Sequence, residues 1–199
     1  MTVWSGNVAA NEDDANERLD DTGFDATATT LRASDAAGTA RWMFGIRFVT
    51  DIPAGSTISN ATYTWTRSGS TTDSPQVDIF ADDVDSSQNF SDGADLVNRT
   101  RTTASVSYTG TNLGATLQTS TDFATVVQEL SDRGGWGGVI TVLVIGKDQT
   151  AVEDYRCAAL EHATITECAL SVTYTAPAGG GGGVTSWIGM DSFGRRRRR

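Results

Sequence analysis

Ser59-Asn60-Ala61-Thr62-Tyr63-Thr64-Trp65-Thr66 is the stretch on which the fold turns. Ala61, Tyr63 and Trp65 occupy every second position, and Asn60, Thr62, Thr64 and Thr66 fill the places between. Successive side chains of an extended strand point to opposite faces, so one face of this octet is buried and the other is wet. Leu170, Val172 and Tyr174 alternate with Ser171, Thr173 and Thr175 in the same way. Between these two lies Val139-Ile140-Thr141-Val142-Leu143-Val144-Ile145, apolar at six of seven positions, which reads as a central strand covered on both faces.

Extended segments of this kind recur along the first 175 residues, each bounded by Gly, Pro, Asn or Asp. The clearest span 40–50, 57–67, 76–81, 102–108, 139–146 and 169–175, the rhythm of an all-β sandwich. One amphipathic helix interrupts them. Ser120 or Thr121 can cap it, Asp122 suits its first turn, and Phe123, Val126, Val127 and Leu130 fall on one face. Gly134 and Gly135 end it, and the helix is expected to serve as an apolar lid over an open end or edge of the sandwich. Gly134-Gly135-Trp136-Gly137-Gly138 lacks the Lys and Ser/Thr of a phosphate-binding loop and reads as a helix-to-strand turn.

The 199 residues are enough for one core and slightly short for two. Setting aside Arg195, Arg196, Arg197, Arg198 and Arg199 leaves 10 basic against 25 acidic residues in positions 1–194, a formal charge of −15 followed by a +5 end. Phosphate recognition needs clustered Lys and Arg, so the body is excluded as a nucleic-acid face and any such contact falls to the arginines. Residues 1–10 carry no positive charge and no apolar run, unlike a Sec-type signal peptide, and no stretch approaches transmembrane length. The expectation is a chain that reaches the outside by lysis, by another secretion route, or as part of a particle.

The body spans 1–176. A glycine-rich linker follows at 177–183, with Gly179 to Gly183 offering no side chain to bury, and then an extended tail at 184–199. Trp187, Ile188, Met190 and Phe193 form an apolar cluster just ahead of the arginines. That segment is too short to span a bilayer and includes Asp191, so it reads as a tethered peptide. The apolar residues would anchor in a groove of a neighbouring subunit while the arginines meet acidic surface.

Chemistry is thinly represented. Asp82, Asp83 and Asp85 follow the 76–81 strand and are the candidate oxygen ligands for calcium, without EF-hand spacing. Glu12-Asp13-Asp14 and Asp20-Asp21 read as solvated acidic loops. Arg47, alternating with Ile46 and Phe48, is expected in a structural ion pair. His162, the sole histidine, has no catalytic motif around it. Cys157 and Cys168 are too few for a tetrahedral zinc site, and their spacing leaves both a disulfide and two buried thiols open. Trp4, Trp42 and Trp136 are core candidates with stacking on a sugar ring as the alternative.

Several segments in order match one pattern: Thr30-Leu31-Arg32, Gly45-Ile46-Arg47-Phe48, and Ile52-Pro53-Ala54-Gly55-Ser56-Thr57-Ile58-Ser59-Asn60-Ala61. Asn98-Arg99-Thr100-Arg101-Thr102-Thr103-Ala104-Ser105-Val106 continues it, with Val126-Val127-Gln128-Glu129-Leu130-Ser131-Asp132-Arg133-Gly134-Gly135-Trp136 and Leu170-Ser171-Val172-Thr173-Tyr174 beyond. Together they resemble the DNRLRE-type β-sandwich domains of bacterial surface proteins and phage structural proteins. The resemblance implies a jelly-roll-like sandwich, similar to carbohydrate-binding modules, used as a building block of extracellular or virion assemblies, and it implies no enzyme. The chain departs from that pattern in 155–168, which holds two cysteines and no proline and reads as a specialised loop, and in its arginine tail.

The combined expectation is a non-enzymatic virion structural protein, a decoration or tail-associated subunit, homo-oligomeric and docking on neighbouring subunits through its tail. It has no catalytic residues, no membrane contact and no cofactor apart from calcium at the 82–85 carboxylates. The alternative is an extracellular or cell-surface carbohydrate-binding or adhesive module with a glycan as partner.

Overall fold

The structure is a computed structural model that describes residues 1–20, 22–35, 41–68, 74–90, 96–111, 113–149 and 153–178. The linker glycines 179–183 and the tail 184–199 lie outside them, and so do Trp187, Ile188, Met190, Phe193 and the five arginines.

The strands are β1 (Thr2–Asn7), β2 (Asp14–Arg18), β3 (Thr22–Asp25), β4 (Thr30–Asp35), β5 (Trp42–Val49), β6 (Thr57–Thr66), β7 (Gln76–Ala81), β8 (Val106–Thr109), β9 (Leu117–Thr119), β10 (Val139–Gly146), β11 (Glu153–Ala158) and β12 (Ala169–Thr175). A 3-10 turn, Asn11–Asp13, precedes β2, and one helix, α1 (Ala124–Ser131), lies between β9 and β10. A four-stranded sheet runs β1-β12-β6-β9, a six-stranded sheet runs β3-β2-β5-β10-β7-β8, and β11 pairs with β4 in a separate ribbon. The pairings are antiparallel, as expected of an all-β sandwich.

The alternation in β6 and β12 does what its period dictates. Ala61, Tyr63 and Trp65 from β6 and Leu170, Val172 and Tyr174 from β12 are buried. They share one core with Phe44, Ile46 and Phe48 of β5, Val77 and Ile79 of β7, and Ile140, Val142 and Val144 of β10. Leu31 and Ala33 of β4 and Tyr155 and Cys157 of β11 close its flank. At the centre the Tyr63 and Tyr155 hydroxyls lie 2.6 Å apart, and Trp65 stacks on Tyr155 at 4.7 Å between ring centroids. Burial pushes the pKa of both tyrosines far up, so they stay neutral.

β10 is covered on both faces. On the outer side of the six-stranded sheet, Leu143 and Ile145 join Ala15, Met43, Phe90 and Leu96 in a second apolar cluster. Phe90 and Leu96 come from the long excursion between β7 and β8. Gly45 makes this possible: a Cβ there would lie 2.6 Å from Phe90 Cζ and 2.7 Å from Leu96 Cδ2. In the turn before β6, Gly55 adopts φ +75 and the Ser56 N–H donates to the Pro53 carbonyl at 3.2 Å.

Three expectations need correcting. The 102–108 segment is strand only at Val106–Thr109. Before it, the Thr102 hydroxyl donates to the Ala104 carbonyl, and the Thr103 and Ala104 amides donate to the Glu129 carboxylate at 2.7 Å, which replaces a ladder. The 155–168 loop is strand as far as Ala158, because Tyr155 and Cys157 pair with Ala33 and Leu31 and bury the same face. At the helix start neither Ser120 nor Thr121 caps. Phe123 occupies the cap position, and Asp122 Oδ1 accepts the Ala124 and Ala61 amides, each at 2.9 Å, tying α1 to β6.

Candidate functional site

Two arginines organise the loops over the outer face. Arg99 Nη1 donates to Asp82 Oδ2 at 2.9 Å and to the Ser87 hydroxyl at 2.7 Å, while its Nη2 reaches the Gln88 and Asn89 carbonyls. Its guanidinium sits 4.4 Å from the Phe90 ring centroid. Ser87 in turn donates to Asp82 and meets the Thr141 hydroxyl of β10. Arg133, just past α1, donates through Nη1 to Asp83 Oδ1 at 2.7 Å and through Nε to Asp85 Oδ1 at 2.8 Å. The carboxylates Asp82, Asp83 and Asp85 are thus divided between two cations. The described residues contain no group of three or more His, Cys, Asp or Glu side chains placed to hold a metal ion. Gly135 lets Asp85 approach the helix-to-strand turn, since a Cβ there would collide with its carboxylate.

Arg47 makes the expected ion pair, donating from Nη1 to Asp13 Oδ1 at 2.6 Å and from Nε to the Ser87 carbonyl at 2.9 Å. Of Glu12-Asp13-Asp14, read as solvated, Glu12 is exposed, but Asp13 and Asp14 are buried, Asp13 against Arg47 and Asp14 against the Leu160 amide. Asp20, by contrast, is exposed and paired with Arg18 at 2.7 Å. His162 holds its own loop together, its Nδ1 accepting the Thr164 and Ile165 amides at 3.3 and 3.1 Å. Cys157 and Cys168 are both free and buried, and burial raises the Cys157 pKa far above its ordinary value, which keeps the thiol protonated.

Of the tryptophans, Trp136 belongs to the core, its Nε1 donating to the Val139 carbonyl at 2.9 Å. Trp4 is half-buried, edge-on to Phe48. Trp42 is half-buried too and forms one wall of a concavity of about 330 Å³, lined by Asn16, Asp25, Thr29, Thr30 and Arg32. Gly23 of β3, at φ +70, also lines it.

A second concavity, about 370 Å³, runs along α1. Ile58, Ala124 and Thr125 give it an apolar floor, and Gln128, Glu129 and Asp132 form its rim. Gln128 fixes the rim by accepting the Ile58 amide at 2.7 Å and donating to Asp132 at 2.7 Å. The chain leaves β12 beside this groove: Thr175 pairs with Thr57, and Pro177 lies next to Gly55. Sequence reasoning missed both concavities, since each takes its lining from more than one element: the first from β2 to β5, the second from β6 and α1.

No helix among the described residues is long and apolar enough to cross a membrane. A scan against protein-family models and a search of the curated proteins each found no match. The class defined by fold and surface is an all-β sandwich, and the Trp42 and α1 concavities among its described residues are candidates for binding.

Proposed function

We propose that this chain is a non-enzymatic assembly subunit, a virion decoration or tail-associated protein, whose 184–199 segment docks in the α1 groove of a neighbouring copy. One observation carries the reading: an apolar groove rimmed by Glu129 and Asp132 opens where the chain departs toward an apolar cluster followed by five arginines. Trp187, Ile188 and Phe193 match the floor, and the arginines match the rim and the acidic body. The DNRLRE-type resemblance, carried by the short motifs quoted above, belongs to the same proposal. Deleting 184–199, or blocking the groove with Thr125→Arg at an exposed position, is expected to leave a folded monomer where the intact chain assembles. Light scattering that finds assembly unimpaired in both variants sinks the reading.

The Trp42 concavity favours a second reading, an extracellular glycan-binding module. A half-buried indole beside Asn16, Asp25 and Arg32 offers a stacking face with hydrogen-bonding groups around it, as a sugar ring requires. A glycan array on which wild type and Trp42→Ala are equally blank counts against it.

A further inference from the structure

The carboxylates singled out by sequence have arginine partners; a different pair does not. Asp14, on β2, is 1% exposed. Its Oδ2 accepts the Leu160 amide at 2.9 Å, while Oδ1 is buried and has no donor. On the loop after β11, both carboxylate oxygens of Glu161 are buried and likewise have no donor. The surroundings add negative charge. Burial is the main reason that Asp14 has its pKa raised to about 7, and Glu161, Asp13 and Glu167 push it in the same direction against the Leu160 amide. Nearby donors are committed elsewhere: Arg47 to Asp13 and Asn7 to Glu167 at 2.8 Å.

Ionised, the two are acceptor-only groups and cannot satisfy each other. A single shared proton would hydrogen-bond one oxygen pair and leave a net negative charge buried, with another Glu161 oxygen bare. A divalent cation removes both charges and uses all the free oxygens at once. Hard carboxylate oxygens select calcium over softer metals, and calcium accepts main-chain carbonyls and water to complete its shell, so two side chains suffice as anchors. The buried thiol of Cys157, held protonated, is no competing ligand.

We propose that Asp14 and Glu161 form a calcium site that fastens the β11–β12 loop to strand β2. This inference stands apart from the assembly reading. The test is thermal unfolding of the full chain, stripped with EDTA and then titrated with CaCl2 at pH 7.5. Wild type is expected to gain roughly 5 °C or more at a hundredfold excess over Kd. Asp14→Asn and Glu161→Gln should lose that gain, and Asp83→Asn should keep it. Equilibrium dialysis of wild type with ⁴⁵Ca, which needs no variant to fold, should find one ion per chain. No bound calcium, or a gain that survives in both Asp14→Asn and Glu161→Gln, overturns the proposal; in the first case the pair shares a proton, and in the second the ion lies elsewhere.

Discussion

Asp14 shows how far burial can move a single group. With its pKa raised from 3.8 to about 7 in the folded chain, the native state keeps a proton that the unfolded state has released. The native form therefore binds more protons between those values, and metal-free stability must fall as pH rises from about 4 to about 7, then level off. The whole effect is on the order of 4 kcal/mol. Urea titrations in EDTA at pH 5 and pH 8 are expected to show the decline in wild type and its absence in Asp14→Asn; equal midpoints for wild type at both values would refute it. Gly45 supplies the second prediction at this scale. Gly45→Ala forces a methyl against Phe90 and Leu96 and should cost about 1–3 kcal/mol in chemical denaturation. Pairing it with Phe90→Ala should cost less than the sum of the two, because the second change makes room for the first. Neither effect was legible beforehand. Asp14 sits in a run of acidic residues that suits a solvated loop, and the amide that meets it in the fold, that of Leu160, lies 146 residues further on.

Among the elements, the excursion between β7 and β8 shows most clearly how polar chemistry is spent. It covers the outer face of β10 with Phe90 and Leu96, and the Arg99–Asp82 pair holds it there with side chains only 9% and 6% exposed. Arg99→Ala leaves Asp82 buried without its counter-charge, which should cost about 3–5 kcal/mol and open the excursion to limited proteolysis before the sandwich unfolds. Arg99→Ala with Asp82→Ala should be milder than Arg99→Ala alone, and a double variant that is worse would contradict this account. The strands themselves divide by legibility. β6, β10 and β12 carry alternating or continuous apolar patterns and stood out in the sequence. β2, Asp-Ala-Asn-Glu-Arg, is a strand because β5 and β3 pair with it on either side. Loops bury its polar side chains: the Leu96 and Val97 amides donate to Glu17, and the Leu160 amide to Asp14.

For the whole molecule, one shared interior and a separate outer cluster predict that residues 1–178 unfold as a unit. That fragment should give the same strand-dominated far-ultraviolet spectrum and the same denaturant m-value as the full chain, since both apolar clusters are built from residues within it. A lower m-value would mean that the tail packs on its own body and would redirect the docking proposal to a contact within one chain. The sequence alone determined the all-β class, the amphipathic helix, the central place of β10 and the structural role of Arg47, because each rests on residues a few places apart or on a charge with one available fate. Tertiary structure alone decided which carboxylates meet arginines and which have buried oxygens without a donor, that Trp42 lines a concavity while Trp136 is core, and that the chain leaves the sandwich beside the α1 groove. Those facts arise where strands distant in sequence are brought side by side, and local periodicity carries no record of which strand becomes whose neighbour.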